Sequence, residues 1–402
     1  MKLYFKSISL IACILMITNV VGCSTKTNEE TIFTKDEEIT SQTSEVSKET
    51  TTDSTTETTT EELKDSDGLE FVSLGDGTAL VRGIGTCNDK NIVIPSKTPE
   101  GDTVIEIAAG AFAKNIDIVS IKLPDTVKLI GRGAFSSCWS LTSITIPNSV
   151  TEIEASAFEE CKALESCVLP DSLPIIRDRS FAYCLSLTSI RIPDSVTEIE
   201  EQAFLNCNLL SSVDFSNTLT TIGYGAFANC PVLEQVDLPD SLTILSKSMR
   251  DNLATSRMGA FQNCTALTTV NLPNSLTIIG SHTFSNCSSL KNIIIPNSVT
   301  EIGDFAFENC CSLSALEIPN SVTRIGSFAF TNCDLLISLV VPDSVTEMEA
   351  TIIVDCDLIS SLTIPERLLT DFINNPNSLN GCNRLKSING RDPKELKDSL
   401  GY

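Results

Sequence analysis

The sequence predicts a solenoid of stacked, parallel β-strands in which one 23-residue unit forms each turn of the chain. Near-identical segments recur at this spacing, such as LTSITIPNSVTEIEASAFEEC from Leu141 and LTSIRIPDSVTEIEEQAFLNC from Leu187, with leucine and isoleucine at fixed places in the copies. A repeat of roughly 20–29 residues with these features is typical of α/β leucine-rich-repeat solenoids, whose units bury their apolar sides against one another. We therefore predict about a dozen rungs. A proline column marks them, interrupted once by a serine: Pro124, Pro147, Pro170, Pro193, Ser216, Pro239, Pro273, Pro296, Pro319, Pro342 and Pro365.

Each unit contains two short extended segments. In L-x-x-I-x-I, apolar and polar residues alternate with the period of a half-buried strand, so Ile144 and Ile146 should point inward and Thr145 outward. The proline that follows has no N–H for a β-ladder, and the Asp or Asn and the Ser after it favour a turn. The sequence V-T-E-I then predicts a second strand on the opposite side of the rung, and A-F-x-x-C predicts a turn that crosses back.

Two columns predict the interior of the rod. A phenylalanine recurs in the units and should form a continuous spine of rings: Phe112, Phe135, Phe158, Phe181, Phe204, Phe227, Phe261, Phe284, Phe307 and Phe330, followed by Ile353 and Leu379. A cysteine column follows three residues later: Cys138, Cys161, Cys184, Cys207, Cys230, Cys264, Cys287, Cys310, Cys333, Cys356 and Cys382. Because a small thiol packs well in a narrow corner, we predict buried free thiols. Disulfides remain an alternative, since neighbouring rungs lie about 4.8 Å apart, and so does metal binding.

The N-terminus has the features of an exported, anchored protein. Lys2 and Lys6 precede a short apolar run that ends in Val20-Val21-Gly22-Cys23. This tetrapeptide resembles the lipobox of bacterial lipoproteins, which implies that Cys23 receives a lipid and becomes the mature N-terminus. The alternative is an ordinary secretory signal. The following segment is rich in Ser, Thr and Glu and poor in apolar residues, so it should be a disordered tether.

The repeat pattern A-F-x-x-C-x-x-L-x-x-I-x-I-P-[DN]-S-[VL]-T-x-I covers about three quarters of the chain. It resembles the 23-residue leucine-rich repeat of the BspA-type surface proteins. The resemblance implies an extracellular protein that acts through protein–protein or host-surface contacts, often in adhesion, and it implies neither a particular ligand nor catalytic residues.

These patterns divide the chain into five segments. We expect a signal peptide over 1–22, a tether over 23–67, an N-terminal cap and first repeat over 68–115, the solenoid over 116–390 and a polar tail over 391–402. The cap should contain a β-hairpin, because GLEFVSLGDGTALVRGIG from Gly68 reads as two strands around a Gly-Asp-Gly turn. The terminal units of a solenoid are expected to be atypical.

The composition argues against several functions. A net charge of −24 and a pI near 4.4 are unfavourable for binding nucleic acid, which requires clustered Lys and Arg. His282 is the sole histidine, in a column that we expect to be a solvent-facing turn, and no hydrolase elbow, Walker loop or zinc spacing is present. We therefore predict no enzyme, no cofactor and no metal site.

Outward positions of the main strands are the candidate recognition surface. The varied column before the last strand isoleucine includes Lys122, Arg191, Asp214, Asp237 and Glu317, and neutral drift at exposed sites would give the same variation. Asp214 and Asp237 are expected side by side, with Glu234 next to them, either as an acidic patch for a basic partner surface or as a solvated acidic face without a partner. Trp139 and the basic insertion at Lys247, Arg250 and Arg257 are further candidate contacts. We predict a lipid-anchored surface protein that binds an extracellular protein or a host or cell-wall component. The alternatives are an envelope spacer without a ligand and, more distantly, a hydrolase.

Overall fold

The computed structural model describes residues 64–247 and 258–399, and the residues from Asp65 onward form one compact unit. The signal peptide, Cys23, most of the tether, and Arg250 and Arg257 of the basic insertion lie outside the described residues. The described chain winds into a β-solenoid of about 13 turns with little helix, which confirms the predicted fold class.

Most rungs contribute one strand to each of two rows, and the rungs of Ile294 and Glu317 contribute a back-row strand alone. The front row contains β3 (Asn91–Val93), β5 (Ser120–Lys122), β7 (Ser143–Thr145), β9 (Ser166–Val168), β11 (Ser189–Arg191), β13 (Ser212–Asp214), β15 (Gln235–Asp237), β17 (Thr269–Asn271), β21 (Ser338–Val340), β23 (Ser361–Thr363) and β24 (Ser387–Ile388). The back row contains β4 (Thr103–Ile107), β6 (Leu129–Ile130), β8 (Glu152–Ile153), β10 (Ile175–Ile176), β12 (Glu198–Ile199), β14 (Thr221–Gly223), β16 (Ile244–Lys247), β18 (Ile278–Ile279), β19 (Glu301–Ile302), β20 (Arg324–Ile325) and β22 (Glu347–Met348).

Strands of the same row pair in parallel, one repeat apart. In the front row Ser189 pairs with Ser212, and in the back row Glu198 pairs with Thr221, so equivalent residues of successive units lie next to each other. The back row from β10 to β22 forms one eight-stranded sheet, whereas the front row is divided into sheets of four, two, two and three strands. Ile144 and Ile146 are buried and Thr145 is exposed, as the alternation predicts.

The phenylalanine and cysteine columns form the interior. Rings from Phe112 to Phe330 stack face to face, with centroids of neighbouring rings 5.1–6.0 Å apart. All eleven cysteines of the column are buried, free thiols, which confirms the packing interpretation for these residues. The structure also shows why cysteine suits the position: each thiol donates a hydrogen bond to a carbonyl of the preceding rung, as from Cys207 Sγ to the Phe181 oxygen at 3.3 Å.

The crossing turns require left-handed backbone at two places in most rungs. One is the residue before the cysteine, for example Asn286 at φ 62°, and asparagine tolerates this conformation better than most residues. Five of these asparagines also bond to each other through their side-chain amides, with N···O distances of 2.5–2.7 Å: Asn229, Asn263, Asn286, Asn309 and Asn332. This ladder satisfies half-buried amides along the rod.

The two ends of the rod are closed differently. At the N-terminal end, β1 (Glu70–Ser73) and β2 (Thr78–Gly83) form the predicted antiparallel hairpin, and β2 pairs with β4. At the C-terminal end lie helices α1 (Glu366–Asn374) and α2 (Pro393–Ser399). The segment predicted as a polar tail over 391–402 contains α2, in which Leu396 is buried.

Candidate binding face

The solvent side of the front row, the front face, carries most of the predicted contact residues. Lys122, Arg191, Asp214, Asp237 and Glu317 are all exposed. The repeat places their positions in one column along the rod, and the inward residues beside them are buried or nearly so. Variable side chains are therefore presented on a backbone scaffold of constant geometry.

The middle of this face is acidic and contains one cation. Arg191 contacts Asp171 at 3.3 Å and pairs in register with Asp214 of the next rung. Glu234 is exposed one rung further along. These contacts leave the segment with more carboxylates than basic groups, so its electrostatic potential favours a basic partner.

The predicted juxtaposition of Asp214 and Asp237 is only partly correct. They occupy adjacent rungs, but β13 pairs with β11, and β15 pairs with β17, so no ladder joins the two aspartates. Asp237 instead accepts hydrogen bonds from Gln235 Nε2 at 2.7 Å and from Asn271 Nδ2. These amide donors offset its negative charge, whereas Asp214 faces Arg191. The like-charge strain expected of this pair is therefore reduced by its neighbours.

Towards the C-terminal end, the front face carries exposed aliphatic residues. Ile294 is 85% exposed, and Ile337 and Val340 are 57% and 59% exposed. Ile294 and Val340 belong to the varied column, with the exposed Glu317 between them, and Ile337 directly precedes β21. Aliphatic side chains exposed to this degree offer apolar area that a partner could bury. The front face thus combines an acidic middle segment with a C-terminal segment, the apolar segment, whose aliphatic residues flank Glu317.

A cluster of carboxylates borders the apolar segment. Asp334 lies in the turn after Cys333, and burial raises its pKa to about 6, with further contributions from the charges of Asp357 and Asp355. Leu335, 44% exposed, follows it directly. At neutral pH the cluster adds negative charge beside the apolar surface.

Trp139 lies at the corner of a rung and not on a strand. Its ring is 45% exposed, and the Lys162 ammonium of the next rung sits 4.3 Å from the ring centroid. Lys162 also contacts Glu160 at 3.8 Å. The side chain is therefore partly packed on the next turn and partly available to a partner.

The back face, the solvent side of the back row, is organised around cross-rung ion pairs. Arg177 contacts Glu152 at 3.5 Å and Glu200 at 3.1 Å, and Arg324 lies between Glu301 and Glu347 in the same way. A depression of about 230 Å³ around Arg177 is smaller than an ordinary ligand pocket, which has roughly 300–1,000 Å³. Arg177, Glu152 and Glu200 in this depression pair with one another across neighbouring rungs.

His282 differs from the expected surface residue. It is half-buried with a left-handed backbone, and its ring stacks on Phe305 at 4.7 Å, while Phe305 stacks on Phe328 at 5.1 Å. The histidine thus begins a short outer row of aromatic rings.

Within residues 64–247 and 258–399, no group of three or more His, Cys, Asp or Glu side chains is arranged to hold a metal ion. Neither helix of this part of the chain is long and apolar enough to span a membrane.

Comparison with known proteins identifies the repeat. The profile described as "BspA type Leucine rich repeat region", with six copies, matches residues 85–207, 129–256 and 254–386. A leucine rich cell surface protein from Faecalibacterium prausnitzii shares the fold at 24% identity and a TM-score of 0.53, over 81% of this chain and 93% of that one. A leucine-rich repeat protein from Bacteroides ovatus is 26% identical with a TM-score of 0.48, over 77% and 96% of the two chains. None of the curated proteins matches significantly. The profile spans well over half of the sequence, and the chain therefore belongs to the BspA-type leucine-rich-repeat family.

Proposed function

We propose that this protein is a surface-exposed binding protein whose front face contacts an extracellular protein or a component of a host surface or cell wall. The observation that carries the proposal is the division of the front face into an acidic segment at Asp214, Glu234 and Asp237 and a segment where exposed Ile294 and Val340 flank Glu317. Charged residues steer a partner and select its orientation, and exposed aliphatic residues contribute area that becomes buried on contact.

The contact would be made across several rungs. Lys122, Arg191 and Glu317 share the same column as the two aspartates, and Trp139 lies at a corner of the same rod. Aromatic and arginine side chains contribute most often to binding hot spots. A partner with a basic region beside an apolar region fits this arrangement.

The test begins with capture of partners from extracellular matrix proteins and cell-wall fractions on immobilised residues 64–402. Affinity for a captured partner is then measured for Asp214→Asn with Asp237→Asn, and for Ile294→Ser with Val340→Thr. Each pair should weaken binding about 10-fold or more, and the acidic pair should also reduce the dependence of affinity on salt.

The matched control is Glu198→Gln with Glu349→Gln, which makes the same acid-to-amide change on the back row and should leave affinity unchanged. Equal binding by both front-face variants and the control would disprove a front-face contact. Failure to capture any partner in repeated fractions would favour the spacer alternative.

The proposal includes anchoring to a membrane through a lipid on Cys23. Its support is the sequence Val20-Val21-Gly22-Cys23 at the end of a short apolar run. In cells fed a labelled fatty acid, the wild type should incorporate label, and Cys23→Ala should lose the label and leave the membrane fraction. Cys13→Ala is the control, because that cysteine lies within the apolar run. An unlabelled wild type would refute the lipid anchor.

A further inference from the structure

Strand β1 leaves an open edge at the N-terminal end of the rod. It is the terminal strand of the sheet β1-β2-β4-β6-β8 and pairs on one side with β2. The Leu74 N–H donates to the Thr78 carbonyl at 2.9 Å, and Val72 pairs with Leu80. Because partners alternate along an antiparallel strand, Phe71 and Ser73 direct their N–H and C=O groups away from β2.

Among the residues that the structure describes, from residue 64 onward, none pairs with the outer edge of β1. The segment that leads into the rod is held at the front row, where Ser66 N–H donates to the Val93 carbonyl at 2.9 Å and the Val93 N–H donates to Ser66 Oγ at 3.0 Å. The opposite end of the rod is covered by α1 and α2, which bury Phe372 and Leu396. The two ends therefore differ: one has a helical cover and the other has a strand with free backbone groups.

The side chains beside the edge are suited to contact. Val72 and Leu74, on the solvent side of β1, are 38% and 46% exposed. Glu70 is on the same side, and its charge is compensated by Arg82 at 3.2 Å. The bulge in this hairpin lies on β2, where Arg82 is the extra residue between Val81 and Gly83, so β1 itself is regular. β1 is short, and its outward-facing residues are Phe71 and Ser73.

We propose that this edge is a homodimer interface, in which β1 of a second copy pairs antiparallel with β1 and joins the two back-row sheets end to end. A register centred on Val72 places Val72 opposite Val72 of the second copy, and Phe71 opposite Ser73 of the second copy. Both outward-facing residues of each strand then exchange N–H···O=C bonds, so every free backbone group of the short edge finds a partner.

The geometry favours a second copy over an unrelated strand. The edge is self-complementary: its two bonding residues are symmetric about Val72, and the same rotation places Glu70 opposite Leu74 of the second copy, so no like charges meet directly. β1 is short and directs the backbone groups of Phe71 and Ser73 outward, so a longer strand would gain no further bonds from it. A two-fold axis through Val72 relates the two copies, so the assembly closes as a dimer.

Proline at Ser73 tests the proposed bonds directly. The Ser73 N–H points away from β2, so Ser73→Pro removes an outward donor without breaking the hairpin. Ser73→Ala is the matched control, because both variants lose the side-chain bond from the Gly75 N–H to Ser73 Oγ but the alanine keeps its backbone N–H. Sedimentation equilibrium on residues 24–402, which contain the whole core from Leu69 to Leu396, should give a concentration-dependent doubling of mass for the wild type and Ser73→Ala. Ser73→Pro should weaken dimerisation at least 10-fold.

Crosslinking tests the register. The Cα atoms of a directly opposite pair without hydrogen bonds are about 4.5 Å apart, within disulfide range, so Val72→Cys should form a covalent dimer under mild oxidation. Leu74→Cys should not, because two copies of residue 74 lie about 13 Å apart in this register. A monomeric wild type at all concentrations would overturn the proposal. So would a dimer that Ser73→Pro leaves intact, or equal crosslinking at both positions. These results are independent of whether the front face binds a partner.

Discussion

At the scale of single residues, side chains at the same position on the rung can differ in acidity. Cys207 and Cys382 belong to the same column, yet burial raises the pKa of Cys207 to about 12, whereas contact with the Cys356 thiol lowers that of Cys382. Asp334 likewise differs from the exposed acids of the front face, because it is half-buried beside two other carboxylates. The repeat specifies the residue type, and the neighbours in adjacent rungs set its acidity.

Asp334 should make stability depend on pH. Its folded pKa of about 6 is above the usual value of 3.8, so the folded state binds the proton more tightly than the unfolded state. The resulting stabilisation is present at low pH and is lost as pH rises through about 6. Asp334→Asn should therefore raise stability by about 1 kcal/mol at pH 8, allowing for solvent screening, and by less at pH 5. Urea unfolding at both pH values measures the difference.

The control for this experiment is Asp240→Asn, which replaces an exposed aspartate in another rung of the same rod. It should show no comparable change between the two pH values. An Asp334→Asn effect that is the same at both pH values would contradict the assignment of the titration to this carboxyl.

At the scale of elements, the columns link rungs into continuous structures. The thiols, the Asn229–Asn332 amides and the Arg177 and Arg324 ion pairs each bond one rung to the next. The column of thiols is the most regular, with the donor sulfur 3.1–3.8 Å from the accepting oxygen throughout. Its two ends differ, because Cys382 makes the longest bond, to the Ile353 carbonyl.

The thiol column should react with alkylating reagents from its C-terminal end. Thiolate is the reactive form, so Cys382, with a lowered pKa, should be modified first in the native protein, and the deeply buried members only after denaturation. Peptide mass mapping before and after unfolding, without reductant, identifies the sites.

The control for the predicted order of alkylation is a variant that lacks the thiol next to Cys382. Cys356→Ala removes the group that lowers the Cys382 pKa and should slow its alkylation. Rapid modification of several column thiols in the native state would contradict their burial. Few reactive thiols after denaturation would indicate disulfides.

At the scale of the whole molecule, one hydrophobic core runs from Leu69 to Leu396. The stacked rings are its centre, and each interior ring has two ring neighbours. Phe204 lies between Phe181 at 5.4 Å and Phe227 at 5.1 Å, whereas Phe112 at the N-terminal end contacts Phe135 as its one stacked neighbour in the spine. Stability should therefore vary along the rod with position.

Truncation of the spine should cost more in the middle than at the end. Phe204→Ala should reduce stability by about 3–5 kcal/mol, and Phe112→Ala by roughly 1 kcal/mol less because one aromatic pair fewer is lost. Thermal unfolding of both variants, with Phe204→Leu and Phe112→Leu as volume controls, measures the difference. Equal losses of stability at the two positions would show that ring stacking contributes no stability beyond the burial of the rings.

The repeat pattern was enough to predict the length of the rung, the inward isoleucines, the phenylalanine spine and the buried thiols, and the Gly-Asp-Gly turn was enough to predict the hairpin. The repeat pattern could do so because each unit packs on the next at a constant offset, so a side chain's environment repeats with the period. Contacts between side chains of different columns could be identified only from the tertiary structure. Arg177 reaches both Glu152 and Glu200, and Asp214 and Asp237 lack a shared ladder. Such contacts depend on the stagger of neighbouring rungs and on side-chain reach, as does the free edge of β1, and the repeat pattern specifies none of these.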